Sequence, residues 1–236
     1  MHELSEAQRS ALQQLYVHLD HSPEAMLTVE QLLTPSGHVH MLNRIKNHSQ
    51  APTATVAASI FMRRYGFFIT ALLKLFSTES IRWTGSLADI AIIHVDNTIH
   101  FTLSPSKFEK SRTMHRSTEL RRMLEQYGHP VVLNMSQSAK ISKLILWENI
   151  WGYVLWMYGQ LFADPAYLQQ AERDVLTLLE DELWTPHMRR SPFKLFLRNQ
   201  SLTEAMREYK RVTCCLYKEL PDTDKCPYCP LSRKRA

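Results

Sequence analysis

Residues 87–103 read LADIAIIHVDNTIHFTL. β-Branched residues dominate on both sides of the pair Asp96-Asn97, and a turn pair between two short apolar runs is typical of a β-hairpin. Helical spacing of apolar residues prevails before and after this stretch, in residues 3–19, 53–77, 117–127, 141–162, 165–183 and 202–212. The order of helices, hairpin and helices predicts an α+β fold: a mainly helical body with a small β-hairpin or sheet.

Glycine and proline predict where the helices are interrupted. Ser22-Pro23-Glu24 is typical of a helix start, with Ser22 as the cap and Pro23 in the first turn. The Pro-Ser-Gly sequence of residues 35–37 predicts a loop. Gly128-His129-Pro130 predicts that the preceding helix ends there, so that residues 131–135 form a short strand or a linker.

Length and composition indicate one soluble body with a small appendage. The chain has 236 residues, of which 44% are hydrophobic and 22% are charged, and this is enough apolar material for a full core. We expect a helical α+β body over residues 1–205, which would hold the substrate-docking region, and a separate functional segment over residues 206–236. The sequence contains 6 Gly and no Gly-rich nucleotide fingerprint, so direct use of NAD(P)H is not expected.

Basic residues concentrate toward the C-terminal end. The net charge is +5, and from residue 189 onward Lys and Arg number 12 against 5 Asp and Glu. A basic end on a nearly neutral body predicts an anionic partner, although a solvated basic end without a ligand has the same pattern. A second basic group, which either lines a substrate face or solubilises a helix, consists of Arg112, Arg116, Arg121 and Arg122.

Two apolar stretches predict buried helices and not membrane spans. Residues 56–76 carry Arg63 and Arg64 at their middle, and residues 144–163 carry Glu148 and distribute Trp and Tyr along their whole length. The tryptophans expected in the core of this region are Trp147, Trp151 and Trp156. No secretory signal is recognisable at the N-terminus, so we expect a cytoplasmic protein, which could lie near the inner face of the membrane.

All four cysteines fall within 16 residues of one another. Residues 210–230 read KRVTCCLYKELPDTDKCPYCP, which places Cys214 and Cys215 side by side, ten residues before Cys226 and Cys229. Chance would bring four cysteines this close in about one sequence in a thousand, so they form one functional unit.

Two chemistries of such a unit are disfavoured. The tetrapeptide that runs from Cys226 to Cys229 matches the active site of glutaredoxins, but the chain ends seven residues later, without room for the domain that lowers the pKa of such a thiol. Structural disulfides are typical of secreted proteins. A bridge between the adjacent Cys214 and Cys215 would in addition be strained.

A zinc site and a [2Fe–2S] cluster both stay open on the spacing alone. Structural zinc usually uses two chelating loops, each with two to four residues between its cysteines, and adjacent Cys214 and Cys215 lack such a loop. A [2Fe–2S] cluster takes two thiolates per iron and is larger than one ion. It therefore accommodates neighbouring cysteines more easily, and Pro230 after the last cysteine is similar to the ending of ferredoxin cluster motifs.

The pattern Cys-Cys-x10-Cys-x2-Cys, preceded by Arg211 and followed by Pro230, resembles the FhuF-like ferric-siderophore reductases. The resemblance is specific over residues 210–230 and loose over the rest of the chain. It implies a cytoplasmic enzyme with one [2Fe–2S] cluster that reduces the Fe(III) of an imported siderophore to Fe(II), which the chelator holds less tightly. The cluster ligands implied by the resemblance are Cys214, Cys215, Cys226 and Cys229.

The residues beside the cysteines suggest how the substrate would bind. Arg211 and Lys225 would attract an anionic ferric chelate, and Tyr228 could stack on it. A separate donor, such as a ferredoxin or a reduced flavin system, would supply the electron; neither nucleic acid nor a transmembrane span is expected. Two alternatives are a zinc-knuckle protein that binds nucleic acid or acts as a scaffold, and an iron–sulfur redox sensor without a siderophore substrate.

Overall fold

The computed structural model describes residues 2–19, 25–96, 98–111 and 115–232. Its α-helices are α1 Glu6–Gln13, α2 Val29–Leu32, α3 Pro35–Ser49, α4 Ala54–Glu79, α5 Arg116–Met123, α6 His129–Ser138, α7 Lys143–Phe162, α8 Leu168–Leu179, α9 Pro192–Leu197 and α10 Leu202–Glu208. Its strands are β1 Val17–His18, β2 Leu27–Thr28, β3 Ile81–Trp83, β4 Ile90–Val95, β5 Thr98–Leu103 and β6 Phe108–Lys110. The predicted α+β class, mainly helical with a small sheet, is confirmed.

Helices α4 and α7 form the centre of the body. Thr53 caps α4 by accepting a hydrogen bond from the Val56 amide, and Ser142 caps α7 by accepting from the Leu144 amide. The two backbones approach closely at Gly66, where an added Cβ would lie 3.0 Å from the Asn149 carbonyl oxygen. Close packing of two apolar helices removes a large hydrophobic area from water and makes this pair a rigid base for the rest of the chain.

The predicted hairpin is formed by β4 and β5, which pair antiparallel with Ile92 opposite Phe101. They lie at the centre of a four-stranded sheet with the order β1-β5-β4-β2. Phe101 is fully buried and packs against the rings of Tyr65 and Phe68 on α4. The sheet therefore covers one face of α4.

Two predicted interruptions are wrong. Residues 35–37 begin α3, because Thr34 accepts a hydrogen bond from the Gly37 amide and Pro35 occupies the first turn, where its missing N–H is not needed. Gly128-His129-Pro130 does not end the helix either. A π-helical turn, Leu124–Gly128, connects α5 to α6, so residues 131–135 are helical and not a strand or linker.

Two predictions at the N-terminal end have different outcomes. The helix expected over residues 3–19 ends at Gln13, and Tyr16, with a positive φ of 61°, turns the chain into β1. The helix start expected at Ser22-Pro23-Glu24 lies outside the described residues.

By length and composition, α4 could also cross a membrane, but most of its apolar window is buried inside the protein.

A partly buried ion pair joins α5, α4 and α8. Arg116 donates to both carboxylate oxygens of Asp174, at 2.8 and 2.6 Å, and Ser77 Oγ donates to the same carboxylate at 2.7 Å. Arg121 donates to backbone carbonyls of residues 182 and 185, and Arg122 pairs with Glu119. These three arginines of the second basic group therefore have structural partners; the fourth, at position 112, lies outside the described residues.

We predict that Asp174→Asn lowers the free energy of unfolding by about 3 kcal/mol, because it leaves the Arg116 guanidinium without its buried counter-charge. Glu172→Gln, at an exposed position of the same helix, should change it by less than about 0.5 kcal/mol. Urea denaturation followed by circular dichroism measures both. Equal stability of the two variants would show that the ion pair does not hold α5 on α8.

Candidate metal centre

The cysteines lie in a segment with little regular structure, residues 209–232, which we call the cysteine segment. It follows α10 and contains one 3-10 turn, Tyr217–Glu219. Loops of this kind are usually mobile unless their polar groups have fixed partners. In this protein the partners come from the two central helices.

Glu148, in the middle of α7, anchors the start of the segment. Its side chain is fully buried, and it accepts hydrogen bonds from the amides of Val212 and Thr213, from the Thr213 hydroxyl and from the Tyr209 hydroxyl. Burial, reinforced by the negative charge of Glu148, raises the pKa of Tyr209, so this phenol stays protonated and donates. A buried carboxylate needs several donors to offset its lost hydration, and Cys214 follows directly after them.

Arg211 connects the two ends of the segment. Its backbone amide donates to the Tyr228 carbonyl at 3.0 Å, and its buried guanidinium donates to the carbonyls of Thr213 and Glu148. One guanidinium nitrogen also lies 3.5 Å from the Glu148 carboxylate. The pair Cys226 and Cys229 is thus brought next to the pair of adjacent cysteines.

The base of the site is formed by α4. Ser59 Oγ donates to the Cys215 carbonyl at 2.7 Å, and Asn149 on α7 donates to both oxygens of Ser59. All these groups are buried. Because the chain of hydrogen bonds crosses the α4–α7 contact, the backbone at Cys215 is held by the rigid centre of the fold.

The sulfur atoms of Cys215 and Cys226 lie 3.6 Å apart. Two thiolates on one tetrahedral metal ion, each with a metal–sulfur bond of about 2.3 Å, are separated by about 3.8 Å, so this pair fits a shared ion. Burial, and next the neighbouring Cys215, raise the pKa of the Cys226 thiol to about 11, which is the behaviour of a thiol that lacks a positive partner strong enough to ionise it. None of the four cysteines is in a disulfide.

The other two cysteines, Cys214 and Cys229, lie in surroundings different from those of Cys215 and Cys226. The Leu216 amide donates to the sulfur of Cys214 at 3.4 Å, and Leu216 itself has a left-handed backbone conformation with a φ of 59°. The pKa of the Lys218 ammonium is raised, first by its contact with Glu219 and further by Cys214 and Cys229. Among the described residues, however, no group of three or more His, Cys, Asp or Glu side chains surrounds a single metal position.

Arg63 also lies at the candidate site, although the spacing of the cysteines does not indicate this position. Its guanidinium lies 4.5 Å from the centre of the Tyr217 ring. Burial opposes its charge, but Tyr153, Cys215 and Cys226 outweigh burial and raise the pKa of Arg63. The sequence did contain an indication of this role: an arginine in the middle of an otherwise apolar helix predicts a partner for its charge inside the protein.

A cavity of 310 Å³ opens beside Cys215 and Cys226. Besides these two cysteines its walls contain two arginines, half-buried Arg63 and buried Arg211, and several aromatic rings: Phe67, Tyr153, Trp156, Tyr209 and Tyr228. Two of the predicted substrate residues, Arg211 and Tyr228, therefore line it. Lys225 does not; its ammonium donates to the Leu231 carbonyl.

The tryptophan prediction is correct for Trp147 and Trp151, which are fully buried, and wrong for Trp156, whose side chain is 50% exposed. Trp156 lies on the face of α7 that points to the cavity. Tyr228 is 52% exposed. Two large, half-exposed aromatic side chains at the entrance of a cavity can contact a ligand without first unfolding any packed element.

Comparison with known protein families and with curated proteins finds no match for this chain.

We predict that Glu148→Gln releases the cysteine segment, because the neutral amide replaces one acceptor oxygen by a donor that faces the donating amides of residues 212 and 213. Hydrogen exchange at residues 209–216 should accelerate by about tenfold or more. Glu204→Gln, on the exposed cap of α10, is the control and should leave these amides unchanged. Unaltered exchange in Glu148→Gln would show that the carboxylate is not the anchor.

Proposed function

We propose that the protein is a ferric-siderophore reductase that transfers one electron through a [2Fe–2S] cluster, and that it works in the cytoplasm. The observation that carries the proposal is the 3.6 Å separation of the Cys215 and Cys226 sulfurs beside a cavity that can admit part of a chelate. The cluster, when bound, supplies a one-electron couple whose potential depends on nearby charge and hydrogen bonds.

The residues that would hold the cluster fall into two pairs. Cys215 and Cys226 have the separation of two ligands of one iron. Cys214 and Cys229, which both act on Lys218, would serve the second iron. In this division the adjacent cysteines would belong to different metal atoms, an arrangement that a two-iron cluster allows and a single zinc ion does not.

The surrounding residues would set the potential and bind the substrate. Arg63 and Arg211 place positive charge beside the sulfurs, which favours the reduced, more negative state. Tyr228 and Trp156 at the cavity entrance would contact the chelate. Because Fe(II) is a softer ion and binds hard oxygen donors less tightly than Fe(III), adding one electron releases the metal without breaking the chelator. A separate ferredoxin or reduced flavin system would then restore the electron.

Reaction with a ferric chelate tests the function. Protein reconstituted without oxygen and reduced with dithionite should be reoxidised on mixing with ferric siderophore, with one Fe(II), trapped by a colorimetric chelator, formed for each electron lost. A cluster that forms but is not reoxidised would indicate the redox sensor. Protein that binds zinc, and not iron and sulfide, would indicate the zinc-knuckle alternative and contradict the proposal.

We predict that Cys226→Ser loses most of its iron and acid-labile sulfide, because a hydroxyl is a poor substitute for a thiolate on iron. Ser232→Ala, which alters an exposed hydroxyl in the same segment, should keep full cluster content. Metal and sulfide analysis of reconstituted protein decides between them, with circular dichroism to verify the fold. Full cluster content in Cys226→Ser would remove this residue from the ligand set.

We also predict that Arg63→Gln lowers the reduction potential of the reconstituted protein, since it removes a half-buried positive charge near the sulfurs. A tenfold loss of electron affinity corresponds to about 59 mV for one electron, and we expect a shift of this order. Arg64→Gln is the matched control, because the guanidinium of this adjacent residue lies over the Tyr16 ring. Equal potentials for both variants would argue that Arg63 does not act on the cluster.

A further inference from the structure

A second cavity, of 260 Å³, also borders the cysteine segment. Tyr217 and Leu220 of that segment form part of its wall, and the rest comes from α3, α4 and the hairpin. Its floor is apolar and includes Met41, Ile45 and Ile99, all of which are buried. The proposed reductase activity gives this cavity no role.

The polar lining of the second cavity is predominantly basic. Arg44 and His48 of α3, Arg64 of α4 and His94 of β4 all line it, and no acidic residue of the described chain does. His48 and His94 meet edge to face, with ring centres 4.7 Å apart. Neither Arg44 nor Arg64 belongs to a salt bridge within the part of the chain that the structure describes.

We propose that this cavity binds the oxyanion, carboxylate or phosphate, of a small organic ligand whose apolar part rests on the floor. Four groups that can carry positive charge repel one another, and an oxyanion between them replaces that repulsion with charge-assisted hydrogen bonds. The guanidinium groups provide paired donors that suit carboxylate and phosphate. The anion could come from a free metabolite or from the carboxylate periphery of a metal chelate, and the two sources share this chemistry.

His94 makes binding depend on pH. Burial lowers the pKa of His94, and His48 and Arg44 lower it further. The other titratable or charged groups near it are Arg64 and Tyr217 in the cavity, and Asp96 and His100 of the hairpin. An oxyanion favours the protonated form of the His94 imidazole, so binding takes up a proton and should strengthen as the pH falls from 8 to 6.

Binding of a matched pair of probes tests the site independently of any cluster. Benzenesulfonate and benzenesulfonamide have nearly the same shape, and only the first carries a charge that is constant between pH 6 and 8. Calorimetry at low ionic strength should show benzenesulfonate binding about tenfold more tightly than the sulfonamide at pH 6, and less tightly at pH 8 than at pH 6. Equal affinity of the two probes would overturn the proposal.

Variants of the residues that line the second cavity test whether benzenesulfonate binds there. Arg64→Gln and Arg44→Gln should each weaken benzenesulfonate by roughly tenfold, and His94→Gln should reduce the pH dependence. Arg173→Gln removes one exposed arginine from α8 and should have no effect beyond the change in net charge. If this control weakens binding as much as Arg64→Gln, the anion responds to overall charge and the cavity is not its site.

Two further probes distinguish the sources of the oxyanion. Phosphate represents a free anion, and gallium(III) citrate represents an anionic chelate that cannot be reduced. If gallium(III) citrate competes with benzenesulfonate and phosphate does not, the chelate is the favoured ligand; the reverse favours a free phosphate compound. Failure of both to compete in the unaltered protein would contradict the oxyanion assignment.

Discussion

The burial of one carboxylate, Glu148, organises the cysteine segment of this protein. A charge in the middle of an apolar helix would be strongly unfavourable without donors, and the chain supplies them from residues 209–213. Because Cys214 and Cys215 follow immediately, the donors that stabilise Glu148 also fix the first cysteine pair against α7. The packing of the core around Glu148 thus fixes the position of Cys214 and Cys215.

The second cysteine pair depends on the same constraint through Arg211. This residue neutralises part of the Glu148 charge and at the same time donates its amide to the Tyr228 carbonyl, between Cys226 and Cys229. The contact of the Cys215 and Cys226 sulfurs is therefore set by the core and not by the short loop alone. Two cavities border the segment that results: one is largely aromatic and contains the sulfurs, and the other is basic.

Much of the fold was predictable from local pattern, because β-branched alternation around Asp96 and long apolar helical runs have few alternative structures. The continuous helix across Gly128 and Pro130 was not predictable in this way. A π-helical turn shifts the hydrogen-bond register, and Gly128 is needed there because an added Cβ would lie 2.6 Å from the Trp147 ring. That requirement comes from Trp147, which is distant in the sequence, so local helix propensity does not predict it.

The sequence indicated part of the candidate site but not its surroundings. The spacing of the cysteines predicted one unit, and the structure brings the sulfurs of Cys215 and Cys226 together. Arg211 and Tyr228, predicted because they lie beside the cysteines, line the cavity; the metal-ligand role of the cysteines stays a prediction. Arg63 and Trp156 were missed because they lie on helices whose local pattern indicates core, and only the packing of the cysteine segment against α4 and α7 shows that they line a cavity.

The most direct test of this account is Mössbauer spectroscopy of ⁵⁷Fe-enriched protein, purified without oxygen, with iron and acid-labile sulfide measured on the same sample. The account predicts two irons and two sulfides for each chain, with both irons in tetrahedral sulfur surroundings and one becoming ferrous on one-electron reduction. A single iron without sulfide, or a sample that contains zinc in place of iron, would contradict it.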